Sequence, residues 1–123
     1  MMNTISKNIE VVRRFNEALN LADVETMASL LSEDTVFENT EPAPDGTRYE
    51  GKRDVSAFWQ EFFSGSASAR IEVEEIFEAQ DRCIMRWTYY WRDEQRNEGH
   101  IRGADIYRLR DGLITEKFSY VKG

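Results

Sequence analysis

The chain is poor in the residues on which several kinds of chemistry depend. It has one cysteine among 123 residues, so no internal disulfide can form. Cys83 alternates with Met85, Trp87, Tyr89 and Trp91 on the apolar side of a strand pattern and reads as a small core residue rather than a nucleophile. The single histidine, His100, shares its parity with Arg102, Arg108 and Arg110, which is no place for the base of a Ser-His-Asp triad. No H-E-x-x-H or C-x-x-C spacing occurs, so no metal site is expected. Gly46 and Gly51 belong to no phosphate-binding glycine pattern, and no cofactor is expected. No stretch approaches the ~20 apolar residues that span a bilayer. Met1 to Lys7 lacks the apolar run of a signal peptide, and a cytoplasmic location is expected. Basic residues are outnumbered 16 to 23, and the net charge of −7 repels phosphate backbones and anionic lipid, excluding nucleic acid and membrane as expected partners.

What is present suits one globular domain, residues 1–123, with 41% hydrophobic and 32% charged residues and no low-complexity run. Ile5, Ile9, Val12, Phe15 and Leu19 recur at helical spacing, predicting a helix from Ser6, its cap, to Asn20. A second helix is expected from Asp23, with Val24, Met27, Leu30 and Leu31 inward and Ser32, Glu33 and Asp34 ending it. Thr35 to Thr40 is β-like, and Pro42, Pro44, Asp45 and Gly46 form a loop of the kind that rims pockets. Val55, Phe58, Trp59 and Phe62 mark a third helix over Lys52 to Phe63, with a turn at Ser64 to Ser68. Four long strands follow: about Ala69 to Ala79, Arg82 to Arg92, Glu98 to Arg110 and Leu113 to Val121. Gln80-Asp81 and the Asp111-Gly112 pair of a type I′ hairpin join them. Helices followed by a meander predict an α+β fold, with three N-terminal helices on one face of a curved, mainly antiparallel sheet.

One charge stands out against this background. Gly99, Ile101, Gly103, Asp105, Tyr107 and Leu109 share a parity that faces a core or pocket. A carboxylate there must be hydrogen-bonded or hold a proton, and either state serves a site that handles polar groups on an apolar molecule.

The order of elements resembles the nuclear transport factor 2-like superfamily. Leu30 to Val36 (LLSEDTV), Tyr49 to Asp54 (YEGKRD) followed by Phe58, and Gly103 to Ile114 (GADIYRLRDGLI) resemble its SnoaL-like branch, over essentially the whole chain. The resemblance implies a cone-shaped interior that holds a small apolar ligand, and a homodimer through the outer sheet face, here near Thr88, Tyr90 and Ile106. Ketosteroid isomerase, a relative, has a general-base Asp, and an oxyanion pair of a Tyr and a protonated Asp. Phe15 falls at the Tyr position and Asn39 at the base, and only Asp105 matches, so steroid isomerisation by that mechanism is not expected. In the polyketide-cyclase branch a late-strand His corresponds to Asp105 and a terminal Asp to Lys122, so that pair is incomplete as well.

The expected site therefore has Asp105 as the proton-handling group. Asn39 and Tyr120 orient a small apolar molecule, and Trp59, Trp87, Tyr89, Tyr107 and Phe15 enclose it. On the last strand Ile114, Glu116, Phe118, Tyr120 and Lys122 are expected to share the inward face, with Glu116 and Lys122 ion-paired or solvated where the cone opens. Glu38 would replace Asn39 as the inward group if the first strand slipped by one. The function expected is a cofactor-independent isomerase, cyclase, hydrolase or dehydratase. The alternative is a non-catalytic ligand-binding or association module that has kept the cone and lost the acid/base set.

Overall fold

Local sequence accounts for the three helices. The computed structural model describes residues 6–64, 70–92 and 95–122. Helix α1, Lys7–Asn20, starts where the Ser6 hydroxyl accepts a bond from the Ile9 amide at 3.3 Å. Its apolar stripe buries Val12, Phe15, Ala18 and Leu19, each large side chain contributing about 1.5–3 kcal/mol. Helix α2, Val24–Ser29, is capped by Asp23, whose carboxylate accepts from the Thr26 amide at 3.1 Å and the Thr26 hydroxyl at 2.6 Å. Helix α3, Lys52–Ser64, follows Gly51. Ser64 thus belongs to the helix; the rest of the turn expected there, residues 65–68, and Ala69, expected to open the next strand, lie outside the described residues.

The strands are β1 (Leu31–Glu38), β2 (Arg48–Glu50), β3 (Arg70–Ala79), β4 (Arg82–Arg92), β5 (Glu98–Arg110) and β6 (Leu113–Val121). They form one sheet in the order β2-β1-β6-β5-β4-β3, antiparallel except for the β1–β6 pair. The turns are those the sequence predicts, with Asp111 at φ 53° and Gly112 at φ 78° in the type I′ region. Two boundaries differ. The second helix stops at Ser29, and Leu31 to Asp34 belong to β1, because Leu31 pairs with Ile114 and the Ile114 amide donates to the Leu30 carbonyl at 2.8 Å. Pairing to a distant strand overrides the helical spacing of Leu30 and Leu31. The short β2 was not anticipated and is set by its register on β1, Val36 opposite Glu50 and Glu38 opposite Arg48.

Edge strand β3 is tied to α1 by amide side chains. Asn20 donates to the Ile71 carbonyl at 2.9 Å and accepts from the Ile71 amide at 2.8 Å, and Asn16 donates to the same carbonyl at 3.2 Å. These bonds occupy backbone groups that an edge strand would otherwise leave open. Among the described residues no helix is long and apolar enough to cross a membrane.

The outer face of the sheet carries a charged network around a bulge. Glu74 has no single partner on β4, where Val73 faces Trp87 and Glu75 faces Arg86. Its carboxylate accepts from Arg102 at 2.9 Å, Arg86 at 3.4 Å and the Thr88 hydroxyl. The bonds from Arg102 and Thr88 hold Glu74 down at a pKa of about 2, against 4.5 for an ordinary glutamate. A depressed carboxylate supports the fold fully above its unfolded pKa, and that support is lost as the pH falls from 4.5 toward about 2. Glu74→Gln is therefore expected to flatten the acid side of the stability curve in that window, read by urea titrations across it. An unchanged acid limb would show that the network contributes nothing.

Candidate functional site

A second bulge decides what faces the interior. On β6, Glu116 pairs with Arg108 while Ile114 pairs with Leu109, which leaves Thr115 as an extra residue. Past it the alternation inverts. Lys117, Ser119 and Val121 turn inward, and Glu116, Phe118, Tyr120 and Lys122 turn outward, against the expectation that those four share the face of Ile114. Tyr120, expected to orient a ligand, is 56% exposed on the outer face beside Ala104 and takes no part in the pocket. Glu116 lies 3.7 Å from Arg108 as a surface pair. The sequence reading missed Lys117, and nothing in the strand marks it, because Phe118 and Tyr120 are the more apolar choices for an inward face.

Lys117 and Asp105 form an ion pair, Nζ to Oδ2 3.5 Å, with only 9% and 5% of their side chains exposed. The ammonium also donates to Ser119 Oγ at 3.0 Å. It lies 5.3 Å from the centre of the Phe37 ring and 5.9 Å from that of Trp59, close enough for cation–π attraction. Among the described residues Asp105 Oδ1 makes no hydrogen bond, nor do the indole nitrogens of Trp59 and Trp87. Buried polar atoms are nearly always satisfied; Thr35 Oγ1, Ser56 Oγ and Arg108 Nε also lack a hydrogen bond elsewhere, but the Asp105, Trp59 and Trp87 atoms belong to residues that line one pocket.

The pocket has a volume of about 320 Å³. Phe58, Trp59 and Phe62 of α3 form one wall, and Trp87, Tyr89 and Ile101 of the sheet form the other. Trp59, Trp87 and Tyr89 are thus among the residues lining this pocket. Glycines opposite two tryptophans make room for the rings: a Cβ at Gly103 would lie 2.6 Å from Trp87 Cζ2, and one at Gly99 2.5 Å from Trp91 Cζ2. Burial pushes the Tyr89 phenol above its ordinary pKa.

Phe15 and Tyr107 are fully buried but sit in the core beyond the pocket, Phe15 edge-on to Phe37 at 5.8 Å and to Tyr107 at 6.4 Å. They back the site without lining it. Burial, and then the charge and the nearby hydrogen-bonding carboxylate of Asp105, hold the Tyr107 phenol well above the usual tyrosine range. Asn39 is at the rim, where its side-chain oxygen accepts from the amides of Thr47 at 2.7 Å and Glu41 at 3.3 Å and so ties down the proline loop. Gly46, at φ 75°, closes this turn against the Asn39 backbone, where a Cβ would lie 1.8 Å from the carbonyl oxygen. Glu38 also reaches the rim but is paired with Arg48 at 3.0 Å. Burial pushes the Cys83 thiol up to about 11, consistent with a core residue. Among the described residues, no three of His, Cys, Asp and Glu converge as metal ligands would.

Chemically, the site holds one carboxylate oxygen on an ammonium and leaves the other buried in the wall of an apolar enclosure without a hydrogen bond among the described residues, an arrangement suited to proton transfer. The sequence profile of the SnoaL-like domain matches residues 12–117. No curated protein matches significantly. Among solved structures, an NTF2-like protein of unknown function from Mesorhizobium loti is 35% identical, covering 100% of this chain and 98% of its own, with a TM-score of 0.79. An LEH-like epoxide hydrolase from Mycobacterium tuberculosis is 20% identical, with coverage of 94% and 83% and a TM-score of 0.82. Another M. tuberculosis protein, crystallised with estradiol-17β-hemisuccinate, is 22% identical, with 94% of each chain covered and a TM-score of 0.80. The last two share the fold alone with this chain.

Proposed function

Because the chain belongs to the SnoaL-like domain family, with an NTF2-like fold, we propose that it is a cofactor-independent enzyme acting on a small, mostly apolar molecule by acid/base chemistry. The observation that carries this reading is the unpartnered Oδ1 of Asp105 in the aromatic pocket. Asp105 moves the proton, Lys117 holds the other carboxylate oxygen, and Trp59, Trp87 and Tyr89 enclose the substrate. The steroid ester bound by one structural neighbour and the epoxide hydrolase activity of another support a pocket for apolar molecules with one polar end.

The test is a thermal-shift screen of small carbonyl, hydroxy and epoxide compounds, followed by turnover assays on the hits. A ligand at ~100 times its dissociation constant adds about 2.7 kcal/mol to the folded state. Asp105→Asn is expected to lower turnover by roughly 10²–10⁴-fold. Undiminished turnover in that variant would remove Asp105 from the chemistry. Binding without turnover of any hit would favour the ligand-binding module, a reading that Phe15 in the core and Asn39 committed to its loop also support.

A homodimer is part of the same proposal. Phe77, Ile84, Ile106 and Phe118 lie opposite one another across four strands and form an apolar row on the outer face. Ile106 and the 40% exposed Tyr90 remain available there, whereas Thr88 is covered by its bond to Glu74. Sedimentation is expected to give twice the chain mass at micromolar concentration, and a protomer mass would refute the dimer.

A further inference from the structure

Lys117 is the buried lysine of a chain that has four; Lys7 and Lys122 are exposed and Lys52 is partly so. An ammonium is compact and strongly hydrated, which makes it a poor choice for a buried ion pair when the only need is a positive charge. The chain shows the alternative elsewhere. Every other ion pair found among the described residues uses arginine. Arginine cannot lose its proton in a protein, whereas a lysine that hands its proton to a neighbour becomes an amine nucleophile. Here the neighbour is in place, with Asp105 Oδ2 3.5 Å from Nζ and Ser119 Oγ accepting at 3.0 Å. The surroundings are aromatic, with Trp59 and Trp87 lining the pocket and their indole N–H groups buried without a hydrogen-bond partner among the described residues.

We propose that Lys117 forms an imine with the aldehyde or ketone group of a small apolar carbonyl compound, Asp105 carrying the protons. This rests on the pocket being a small-molecule site, as proposed above, and adds the substrate class and a covalent intermediate. Asp105 accepts a proton from the Lys117 ammonium. The freed amine attacks the carbonyl carbon, the C–N bond forms, and the C=O π pair moves to oxygen, which takes the proton from Asp105. The nitrogen then loses its second proton to Asp105, which passes it to the hydroxyl. The C–O bond breaks, water leaves and C=N forms. Amine and carbonyl give imine and water, with no oxidant or reductant. The imine keeps one proton on nitrogen and so forms as the cation, which draws electrons from the adjacent carbon, whose proton Asp105 Oδ1 can accept to leave an enamine.

The test uses the full chain with trans-cinnamaldehyde and sodium cyanoborohydride, which delivers hydride to a protonated C=N bond and makes the link permanent. Intact mass and peptide mapping then locate the adduct. One cinnamyl group is expected on Lys117, acquired roughly tenfold or more faster than on Lys7, Lys52 or Lys122. Lys117→Arg keeps the cation and the fold, checked by its melting curve, and is expected to lose that adduct. Asp105→Asn is expected to form it roughly 100-fold more slowly. Cinnamyl alcohol, which has the same body and no carbonyl, separates the two readings. If it raises the melting temperature of wild type while the adduct spreads evenly over the lysines, the imine is overturned and the pocket stands. If neither the alcohol nor any compound of the screen shifts the melting temperature and no adduct forms, the pocket reading fails and the imine with it.

Discussion

Asp105→Leu is expected to lower the melting temperature by on the order of 10 °C, and adding Lys117→Met to that variant is expected to restore most of the loss. The single change leaves a buried ammonium without its counter-ion, bonded to Ser119 Oγ. Removing one member of a buried pair costs about 3–5 kcal/mol, and the low end applies because the pocket admits water to the stranded group. The double change removes the second charge along with the first and puts apolar side chains against Phe37 and Trp59, which lie beside Lys117 in the wild type. Replacing both members of such a pair by apolar groups is often neutral or stabilising. Melting curves of the wild type, Asp105→Leu, Lys117→Met and the double variant measure the coupling directly. A restored double variant would mean that the fold keeps two charges it could do without, in a pocket where they can act. A double variant no more stable than Asp105→Leu would show that the two groups are not energetically linked, and would take that functional reason for the pair away.

Deleting Thr115 is expected to be the most damaging single change in the sheet, costing more than about 4 kcal/mol and abolishing ligand binding. Thr115 is the residue that β6 has in excess over β5, and its hydroxyl donates to the Arg108 carbonyl at 3.2 Å in the widened part of the ladder. Ile114 is anchored, fully buried, opposite Leu109 and Leu31. Without Thr115 the ladder closes at regular spacing, and everything after Ile114 changes face. Phe118 and Tyr120 would be driven into the pocket, and Lys117 would leave Asp105 and emerge on the apolar outer row. Thr115→Val is the control. It keeps the residue count, removes only the hydroxyl, and is expected to cost about 1 kcal/mol. The readouts are the cooperativity and midpoint of urea unfolding, together with the thermal shift of the best ligand. A deletion variant that unfolds near the wild-type midpoint and still binds would mean that the bulge does not determine the face of β6.

These two sites divide what can be read along the chain from what cannot. Helix α1 with its Ser6 cap, the core of α3, the four long strands and the Asp111-Gly112 turn all follow from neighbours in sequence. So does the inward parity of Cys83 to Tyr89 on β4 and of Asp105 on β5, because those stretches pair without interruption and the two-residue period holds from end to end. Strand period put Trp87 and Tyr89 on the inner face, and helical spacing put Trp59 on the apolar face of α3.

The rest depended on contacts between distant residues. Leu31 to Asp34 became a strand because β6 lies alongside them, not because of their own preference. Phe15 and Tyr107 lie behind the pocket wall, since parity specifies a face but not a depth, and depth is set by how α1 and α3 seat on the sheet. Tyr120 and Lys117 exchanged places through one inserted residue, against the hydrophobic pattern of the strand. The sequence by itself determined most of the helices and the four long strands, the sheet's inner face and the carboxylate at its centre, because alternation and helical spacing are local properties. Tertiary structure alone decided that a lysine meets that carboxylate, because a bulge is a mismatch between two strands, visible only when both are in place.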